Sequence, residues 1–313
     1  MPRCLVLLLV AAGARACPEG TVPFPTTDGA VDCEPALNAT LDAVAFLRAS
    51  LPPMDVLNAA SLGFPGPDGS GVDGLDYGVL QPTVNISLEN RAQLGWAAAV
   101  PKDVWQDFVL PYASVNEARS NWRPLLRDAL LPLLMNASGD APGALNTTAV
   151  VSAVNAQLWS ALTPTPITFR SSQTPLIYDP MSVLAFRYAS CTGVSLLFAD
   201  ALRSCGVAAR LAGTPAWNGN ASNGNHNWIE VFEPETGAWS FIEAKPAGGG
   251  ETLSNPCDKW FCSPAKAAGT QFFAAQWSRA TNESIFPMAW DVTNLDVPGV
   301  DRTAYYQEAC GAC

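Results

Sequence analysis

Two residues in this sequence have the types that thiol chemistry needs, Cys191 and His226. Cys191-Thr192-Gly193 opens an apolar run that stops at Gly206, and this pattern predicts a helix beginning at the cysteine. The unpaired N–H groups and the positive dipole end of a helix N-terminus favour the thiolate, the form of cysteine that attacks carbonyl carbon. The sequence contains one histidine, His226, where a Gly/Asn-rich loop meets a predicted strand. We therefore expect Cys191 to act as a nucleophile with His226 as its base.

A carboxylate that orients the imidazole would complete this arrangement, and two glutamates are candidates. Glu243 lies at the end of the strand predicted to return beside the one that carries His226. Glu230 shares a strand face with His226, because side chains alternate with period two. We favour Glu243, since Glu230 lies farther along the strand and can point past the ring. The residues alone leave the choice between them open.

The elements that must position these residues are readable in the pattern around them. Residues 226–232 alternate as a strand, Glu235-Thr236-Gly237 predicts a turn, and residues 239–244 return as a second strand. Residues 207–212, just after the helix, predict another strand. Helix, strand, loop and hairpin in this order predict an α+β domain with a mainly antiparallel sheet.

The first half of the chain reads differently. Apolar residues at helical spacing predict helices over residues 36–50, within 88–134 and over 148–162, whereas the Pro/Thr/Gly-rich residues 17–35 predict irregular structure. Residues 63–80 predict a surface loop, and the polar residues 136–146 predict a boundary or insertion. The predicted organisation is a signal peptide over 1–16, a helical N-terminal region with surface loops over 17–150, and a core with a Cys-stapled tail over 151–313.

Five segments together carry a resemblance to a known family: 188–193 (Tyr-Ala-Ser-Cys-Thr-Gly), 201–210, 213–217, 224–231 and 239–243. They resemble the transglutaminase-like core of the papain-like superfamily. The lead-in residues Val109-Leu-Pro-Tyr112, Asn116-Glu117 and Trp122-Arg123 are similar to those of a secreted branch, so the resemblance covers about residues 90 to 290.

The resemblance implies a Cys–His–Asp triad, and Cys191 and His226 fall directly on its first two positions. Glu243 stands where the family usually has Asp, and a glutamate, although one methylene longer, can still accept the imidazole N–H. Trp159 and Gln173 are candidates for stabilising an oxyanion, by their order along the chain only.

The chemistry implied is acyl transfer through a thioester. The expected substrate is a carboxamide, such as a glutamine side chain in a protein or peptide, and the expected acceptor is an amine (cross-linking) or water (deamidation). A peptidase or amidase of the same superfamily, and a non-catalytic secreted binding glycoprotein, are the alternatives. Cys191 would in that last case be a structural thiol or half of a disulfide with Cys205. The chemistry requires no cofactor, and one histidine with scattered cysteines gives no zinc-ligand spacing.

Composition excludes some partners. The 313 residues are 49% hydrophobic and 14% charged, with 28 acidic against 17 basic residues and a net charge of −11. An acidic protein is repelled by phosphate backbones, so we do not expect a nucleic-acid partner. Residues 1–16 have the positive, apolar and small-x-small parts of an export signal, and the apolar run is shorter than the roughly 20 residues of a membrane span.

Sequons and cysteines agree with export. Six Asn-x-Ser/Thr sequons predict a glycosylated surface, at Asn38, Asn85, Asn136, Asn146, Asn220 and Asn282. With the signal removed, eight cysteines remain, and most should pair in an oxidising compartment. If Cys191 is the nucleophile, a second cysteine must stay unpaired, and Cys205 on its apolar helix is the expected one. The remaining six could close as 17–33, 257–262 and 310–313, a connectivity that sequence cannot fix.

Overall fold

The computed structural model describes residues 17–26, 29–64, 78–137, 145–172, 177–250, 263–279 and 284–310. Its helices are α1 (Ala36–Ala49), α2 (Leu80–Gln93), α3 (Gly95–Ala98), α4 (Lys102–Phe108), α5 (Trp122–Ala137), α6 (Thr147–Ala161), α7 (Pro180–Phe186), α8 (Cys191–Ser204), α9 (Pro264–Ala268) and α10 (Thr303–Ala309). Its strands are β1 (Thr21–Pro25), β2 (Val31–Pro35), β3 (Thr168–Phe169), β4 (Tyr188–Ala189), β5 (Ala209–Thr214), β6 (His226–Glu233), β7 (Ala238–Ile242), β8 (Phe273–Ala275), β9 (Ser284–Ile285) and β10 (Pro298–Asp301).

Six strands form the main sheet, in the order β7-β6-β5-β8-β10-β9. Neighbouring strands in it run antiparallel, and β6 lies between β5 and β7 with His226 paired to Thr214. Two smaller pairings flank it, an antiparallel β1–β2 hairpin and a short parallel β3–β4 pair. The predicted α+β class with a mainly antiparallel sheet is confirmed.

Helix α8 is the centre of the domain. Each of its residues is buried, and it packs on the sheet strands β5 and β6 and on helices α5, α6 and α7. A methyl group on Gly193 would collide with Ala189 and the carbonyl of Ile177, so this glycine lets the segment before the helix lie against its first turn.

The end of α8 explains a small difference from the predicted strand. Gly206 has a φ of 81°, and the N–H groups of Gly206 and Val207 close the helix by bonding to the carbonyls of Arg203 and Leu202. Val207 is therefore part of the helix end. The strand starts two residues later than predicted, at Ala209.

The described residues of the N-terminal segment 17–35 are not irregular, contrary to the prediction. They form the β1–β2 hairpin, tied by the predicted Cys17–Cys33 disulfide. Its alternating residues Val22 and Phe24 are buried, because Phe24 packs on Trp105 in α4. The Pro- and Thr-rich composition concealed a period-two pattern of only two apolar residues.

The N-terminal segments share a core with the sheet domain. Residues of β1, α1, α2 and α4 are buried together with Phe232 of β6 and with Trp277. This shared burial makes the segment before residue 90 a packing layer in the described structure. The predicted division at residue 150 stays a prediction.

The helical pattern predicted across residues 88–134 is interrupted. Residues 109–121 are not helical, and the carbonyls of Val109, Leu110 and Pro111 accept hydrogen bonds from the buried guanidinium of Arg123 in α5. Arg123 also donates to the carbonyl of Arg203 in α8, at 2.9 Å. A guanidinium has several donors in a rigid fork, so one side chain satisfies several carbonyls that a helix would have bonded internally.

The other predictions about elements and cysteines are either confirmed or fall on residues that the structure does not describe. The predicted helices 36–50 and 148–162 are α1 and α6, and the predicted hairpin is β6–β7. Cys205 is free and buried as predicted, and Cys310 is disulfide-bonded. The signal segment, most of the predicted loop 63–80 and of the boundary 136–146, and Cys257, Cys262 and Cys313 lie outside the described residues. Within the described ranges, no helix has the length and apolarity to cross a membrane.

The Arg123 contacts predict a large effect on stability. In Arg123→Lys the charge stays, but one ammonium cannot reach four carbonyls, so buried acceptors lose their donors. We expect the free energy of unfolding, measured by denaturant titration, to fall by about 3 kcal/mol. Arg48→Lys, the same change on the exposed face of α1, should alter it by less than about 0.5 kcal/mol. Equal small losses for both variants would contradict the role given to Arg123.

Candidate active site

Cys191 is the first residue of α8 and carries a free thiol. Its side chain is 7% exposed, so the sulfur lies in a site that bulk water reaches only slightly. The positive end of the helix dipole at this position favours a negative sulfur. The prediction that a helix begins at this cysteine is confirmed.

His226 is the first residue of β6 and follows a braced loop. Within that loop Trp217 N–H bonds the carbonyl of Gly224 at 3.0 Å, and the Asn223 side chain donates to the carbonyl of Trp217 at 3.0 Å. The N–H of Asn218 bonds Thr270 Oγ1 at 2.8 Å, which fastens the loop to the segment after α9. These bonds give the imidazole a defined starting point on the sheet.

The thiol, the imidazole and the carboxylate of Glu243 lie in a row. His226 Nε2 is 3.0 Å from Glu243 Oε2, and the Cys191 side chain forms a hydrogen bond with the same imidazole. Since Nε2 faces the carboxylate, Nδ1 is the ring nitrogen left for the sulfur. His226 is 3% exposed and Glu243 is fully buried, so water screens these contacts weakly.

Electrostatics in this row favour the imidazolium. Burial lowers the pKa of His226, but the charge of Glu243 and the hydrogen bonds with Cys191 and Glu243 outweigh it and raise the pKa from 6.5 to about 10. A raised pKa in the folded state means that this group's stabilisation is present in full below pH 6.5 and is lost as the pH rises through about 10. At neutral pH the ring is charged and can balance a thiolate.

Glu230 lies in a different network. Its carboxylate accepts hydrogen bonds from Arg210 at 2.9 and 2.6 Å, from Arg302 at 2.9 Å and from the Tyr306 hydroxyl at 2.8 Å. Burial raises its pKa, but the two guanidinium groups outweigh burial, so the pKa is lowered. Glu230 therefore holds α10 against the sheet, and Glu243 is the candidate that meets the imidazole.

Residues next to the cysteine and the histidine join α8 to β6, and sequence reasoning missed them. Thr192 Oγ1 donates to Asn227 Oδ1 at 2.9 Å, and Ser195 Oγ donates to the Asn227 carbonyl at 3.2 Å. A side chain on Gly213 of β5 would overlap Asn227, so the glycine makes room for it. The available signal was the presence of Thr192 and Ser195 at the start of an otherwise apolar helix.

Of the two predicted oxyanion donors, Trp159 is not supported. The indole N–H of Trp159 donates to the carbonyl of Asn155 in its own helix, at 2.7 Å, and the ring packs on Phe198. This N–H is already engaged, which contradicts the predicted role. Gln173 lies outside the described residues. In the part of the chain that the structure describes, no group of three His, Cys, Asp or Glu residues is arranged to hold a metal ion.

The matching family model agrees with this geometry. The model for the transglutaminase-like superfamily matches residues 143–244, a stretch that runs from the start of α6 past β7 and includes Cys191, His226 and Glu243. The chain carries a transglutaminase-like domain. The resemblance given by the sequence motifs is thereby confirmed for the segment that holds the site.

Other comparisons add little to this transglutaminase-like assignment. One solved structure, described as "a Putative Cysteine Protease from Cytophaga hutchinsonii", shares 16% sequence identity with the chain. The match covers 61% of this chain and 66% of that one, with a TM-score of 0.26. A TM-score this low does not indicate a shared activity. No curated protein matches the sequence.

The sequence contains one histidine, so the pKa of His226 can be measured directly. In untagged protein, the one imidazole signal in an NMR titration should have a midpoint near pH 10. In Glu243→Gln the midpoint should fall by about 1–3 pH units, because the neutral amide no longer favours the imidazolium. Glu308→Gln, on the exposed side of α10, should leave the midpoint in place. An unchanged midpoint in Glu243→Gln would show that the carboxylate does not act on the ring.

Proposed function

We propose that this protein is a secreted, cysteine-dependent acyltransferase that acts on carboxamides, with glutamine side chains of proteins or peptides as donors. The observation that carries the proposal is the row of free thiol, imidazole and buried carboxylate formed by Cys191, His226 and Glu243. These are the parts that nucleophilic thiol catalysis requires. The transglutaminase-like family match supports the choice of a carboxamide as donor.

The first half of the proposed reaction forms a thioester. The Cys191 thiolate attacks the carboxamide carbon, a C–S bond forms, and the carbonyl electron pair moves to the oxygen. His226, charged at neutral pH, then gives its proton to the nitrogen. The electron pair on the oxygen re-forms the carbonyl as the C–N bond breaks, so that ammonia leaves and the thioester remains. Glu243 keeps Nε2 of the ring engaged, so that Nδ1 faces the reacting atoms.

The second half returns the enzyme to its starting state. An amine approaches the thioester. His226 removes a proton from the amine, and the amine nitrogen attacks the carbonyl carbon. The C–S bond then breaks, which releases a new amide and restores the thiolate beside the imidazolium. Water as acceptor would give the carboxylic acid instead. The low exposure of Cys191 and His226 supports an amine acceptor, because a site that largely excludes water slows hydrolysis of its intermediate.

Export is part of the proposal. The Cys17–Cys33 disulfide supports an oxidising compartment, where such bonds persist. The sequon asparagines in the described ranges, which are Asn38, Asn85, Asn136, Asn146 and Asn220, are all exposed. An exposed amide can carry a glycan without disturbing the core, so these positions support a glycosylated surface. The signal segment and Asn282 lie outside the described residues.

Two buried cysteines allow a matched test of the nucleophile. Iodoacetamide at pH 6 should alkylate Cys191 much faster than a free peptide thiol, because reactive cysteines are found at helix N-termini and beside an imidazolium. Cys205 should stay unmodified, since burial raises its pKa to about 12. Site-resolved mass spectrometry measures both rates.

Ammonia release is the second test, measured with a blocked glutamine peptide and a primary amine. In Cys191→Ala the rate of ammonia release should fall about a thousandfold or more, and Cys205→Ala should keep the wild-type rate.

The outcomes separate the alternatives. Ammonia release without amine incorporation would make the protein a hydrolase of the same superfamily. A Cys191 thiol no more reactive than that of a free peptide, together with no ammonia release, would overturn the catalytic proposal in favour of a binding glycoprotein.

A further inference from the structure

One helix, α6, contacts the β6–β7 hairpin at its turn and again just after its second strand. At the hairpin tip, Glu235 Oε1 accepts hydrogen bonds from Thr147 N–H at 3.0 Å and from Thr147 Oγ1 at 3.2 Å. The hydroxyl of Thr148 donates to Glu233 Oε2 at 3.3 Å. Carboxylates at the N-terminus of a helix interact favourably with its dipole and its N–H groups. This end of α6 therefore fixes the turn of the hairpin whose strands lead to His226 and Glu243.

About two turns further along α6, Asn155 contacts the segment that leaves the hairpin. Its side-chain Nδ2 donates to the carbonyl of Glu243 at 3.1 Å and to that of Gly250 at 2.7 Å. Its Oδ1 accepts the N–H of Lys245 at 2.9 Å. Asn155 is fully buried, so each of these bonds is made away from water. One amide thus holds the backbone on both sides of Ala244.

A second contact encloses the same backbone from another direction. A methyl group added to Gly249 would overlap the carbonyl of Glu243, so only glycine permits this approach. The N–H of Gly249 bonds the carbonyl of Ala244 at 3.1 Å. The peptide after Glu243 therefore lies between Asn155 and Gly249 and has little freedom to shift.

We propose that Asn155 is a positioning residue for the active site, which sets the contact between the Glu243 carboxylate and His226 by fixing the Glu243 backbone. This inference rests on the proposed function of the thiol–imidazole–carboxylate row. Three rotatable bonds separate the carboxylate of a glutamate from its backbone, so a loose backbone would let it leave the ring. Sub-ångström placement of such a partner is what a supporting shell of hydrogen bonds provides.

The alternative is that Asn155 only stabilises the fold. Two measurements on Asn155→Ala distinguish this role from the positioning of Glu243. The first is the NMR titration midpoint of His226, which a loss of stability alone does not move. The second is the rate of Cys191 alkylation at pH 6. We expect the midpoint to fall toward that of Glu243→Gln, and the alkylation rate to fall about tenfold. Ser152→Ala is the matched control, because Ser152 lies one turn away in α6 and bonds only the carbonyl of Thr148 among its described contacts. It should change neither value.

A double variant tests whether Asn155 acts through Glu243. In the Glu243→Gln background, adding Asn155→Ala should change neither the midpoint nor the alkylation rate further, because the carboxylate that Asn155 positions is already gone. A further fall of the same size would show that Asn155 acts on the site by another route and would overturn the inference. Gly249→Ala is an independent variant that displaces the Glu243 carbonyl from the opposite side, and it should lower both the midpoint and the alkylation rate. It replaces Asn155→Ala in the test if that variant does not fold.

The failure of this inference differs from the failure of the proposed function. If wild-type Cys191 is alkylated rapidly at pH 6 while folded Asn155→Ala and Gly249→Ala keep the wild-type midpoint and rate, the inference is wrong and the catalytic row stands. If wild-type Cys191 reacts like a free peptide thiol and the protein releases no ammonia from the glutamine peptide, the proposed function fails. The His226 midpoint still reports in that case whether Asn155 positions Glu243.

Discussion

The contact between His226 and Glu243 is the constraint on which the rest of this domain depends. A fully buried carboxylate loses its hydration, and only a well-placed cationic or hydrogen-bonding partner compensates for that loss. Here the partner is the only imidazole in the molecule, which is also the group that faces the thiol. A single misplacement would therefore weaken the compensation of a buried charge and also shift the imidazole away from the thiol. The scaffold has to hold two chain segments in register more accurately than hydrophobic packing alone achieves.

The structure meets this requirement with polar side chains that form hydrogen bonds from one element to another. Asn227 ties β6 to α8 through Thr192 and Ser195, and Asn155 ties α6 to the peptide after Glu243. Arg123 does the same on a larger scale by collecting the carbonyls of an irregular segment against α8. Such bonds are directional, whereas apolar burial is not, so they fix the position of an element after packing has brought it near. The buried surface of α8 supplies the packing, and the polar side chains supply the register.

The sequence predicted the parts of this arrangement that are local. A helix starting at Cys191, a strand starting at His226 and a return strand ending near Glu243 all follow from period and turn residues within about fifty residues of chain. The functions of Asn155 and Arg123 were not predictable in this way. Asn155 meets carbonyls about 90 residues away, and Arg123 joins carbonyls that lie 12 to 14 residues before it to one that lies 80 residues after it. These partners are backbone atoms, which belong to no particular residue type. A buried Asn between Val154 and Leu158 was a visible anomaly, but the pattern does not indicate which carbonyl it meets. The β1–β2 hairpin was missed for a related reason, since its stability comes from α2 and α4 and from a disulfide rather than from its own strand propensity.

The two glutamates on β6 and after β7 show how neighbours decide what a carboxylate does. Glu230 and Glu243 are both fully buried and lie on adjacent strands or their continuation. Two guanidinium groups and a phenol surround Glu230, so its charge is already balanced by Arg210 and Arg302. A carboxylate in that position would do little to raise the pKa of an imidazole, because the arginines would oppose the imidazolium. Glu243 instead meets the ring at 3.0 Å, and it raises the pKa of that ring enough to keep it charged at neutral pH. A buried glutamate therefore stabilises the fold at position 230 and keeps an imidazole charged at position 243, and the placement of the arginines separates the two roles.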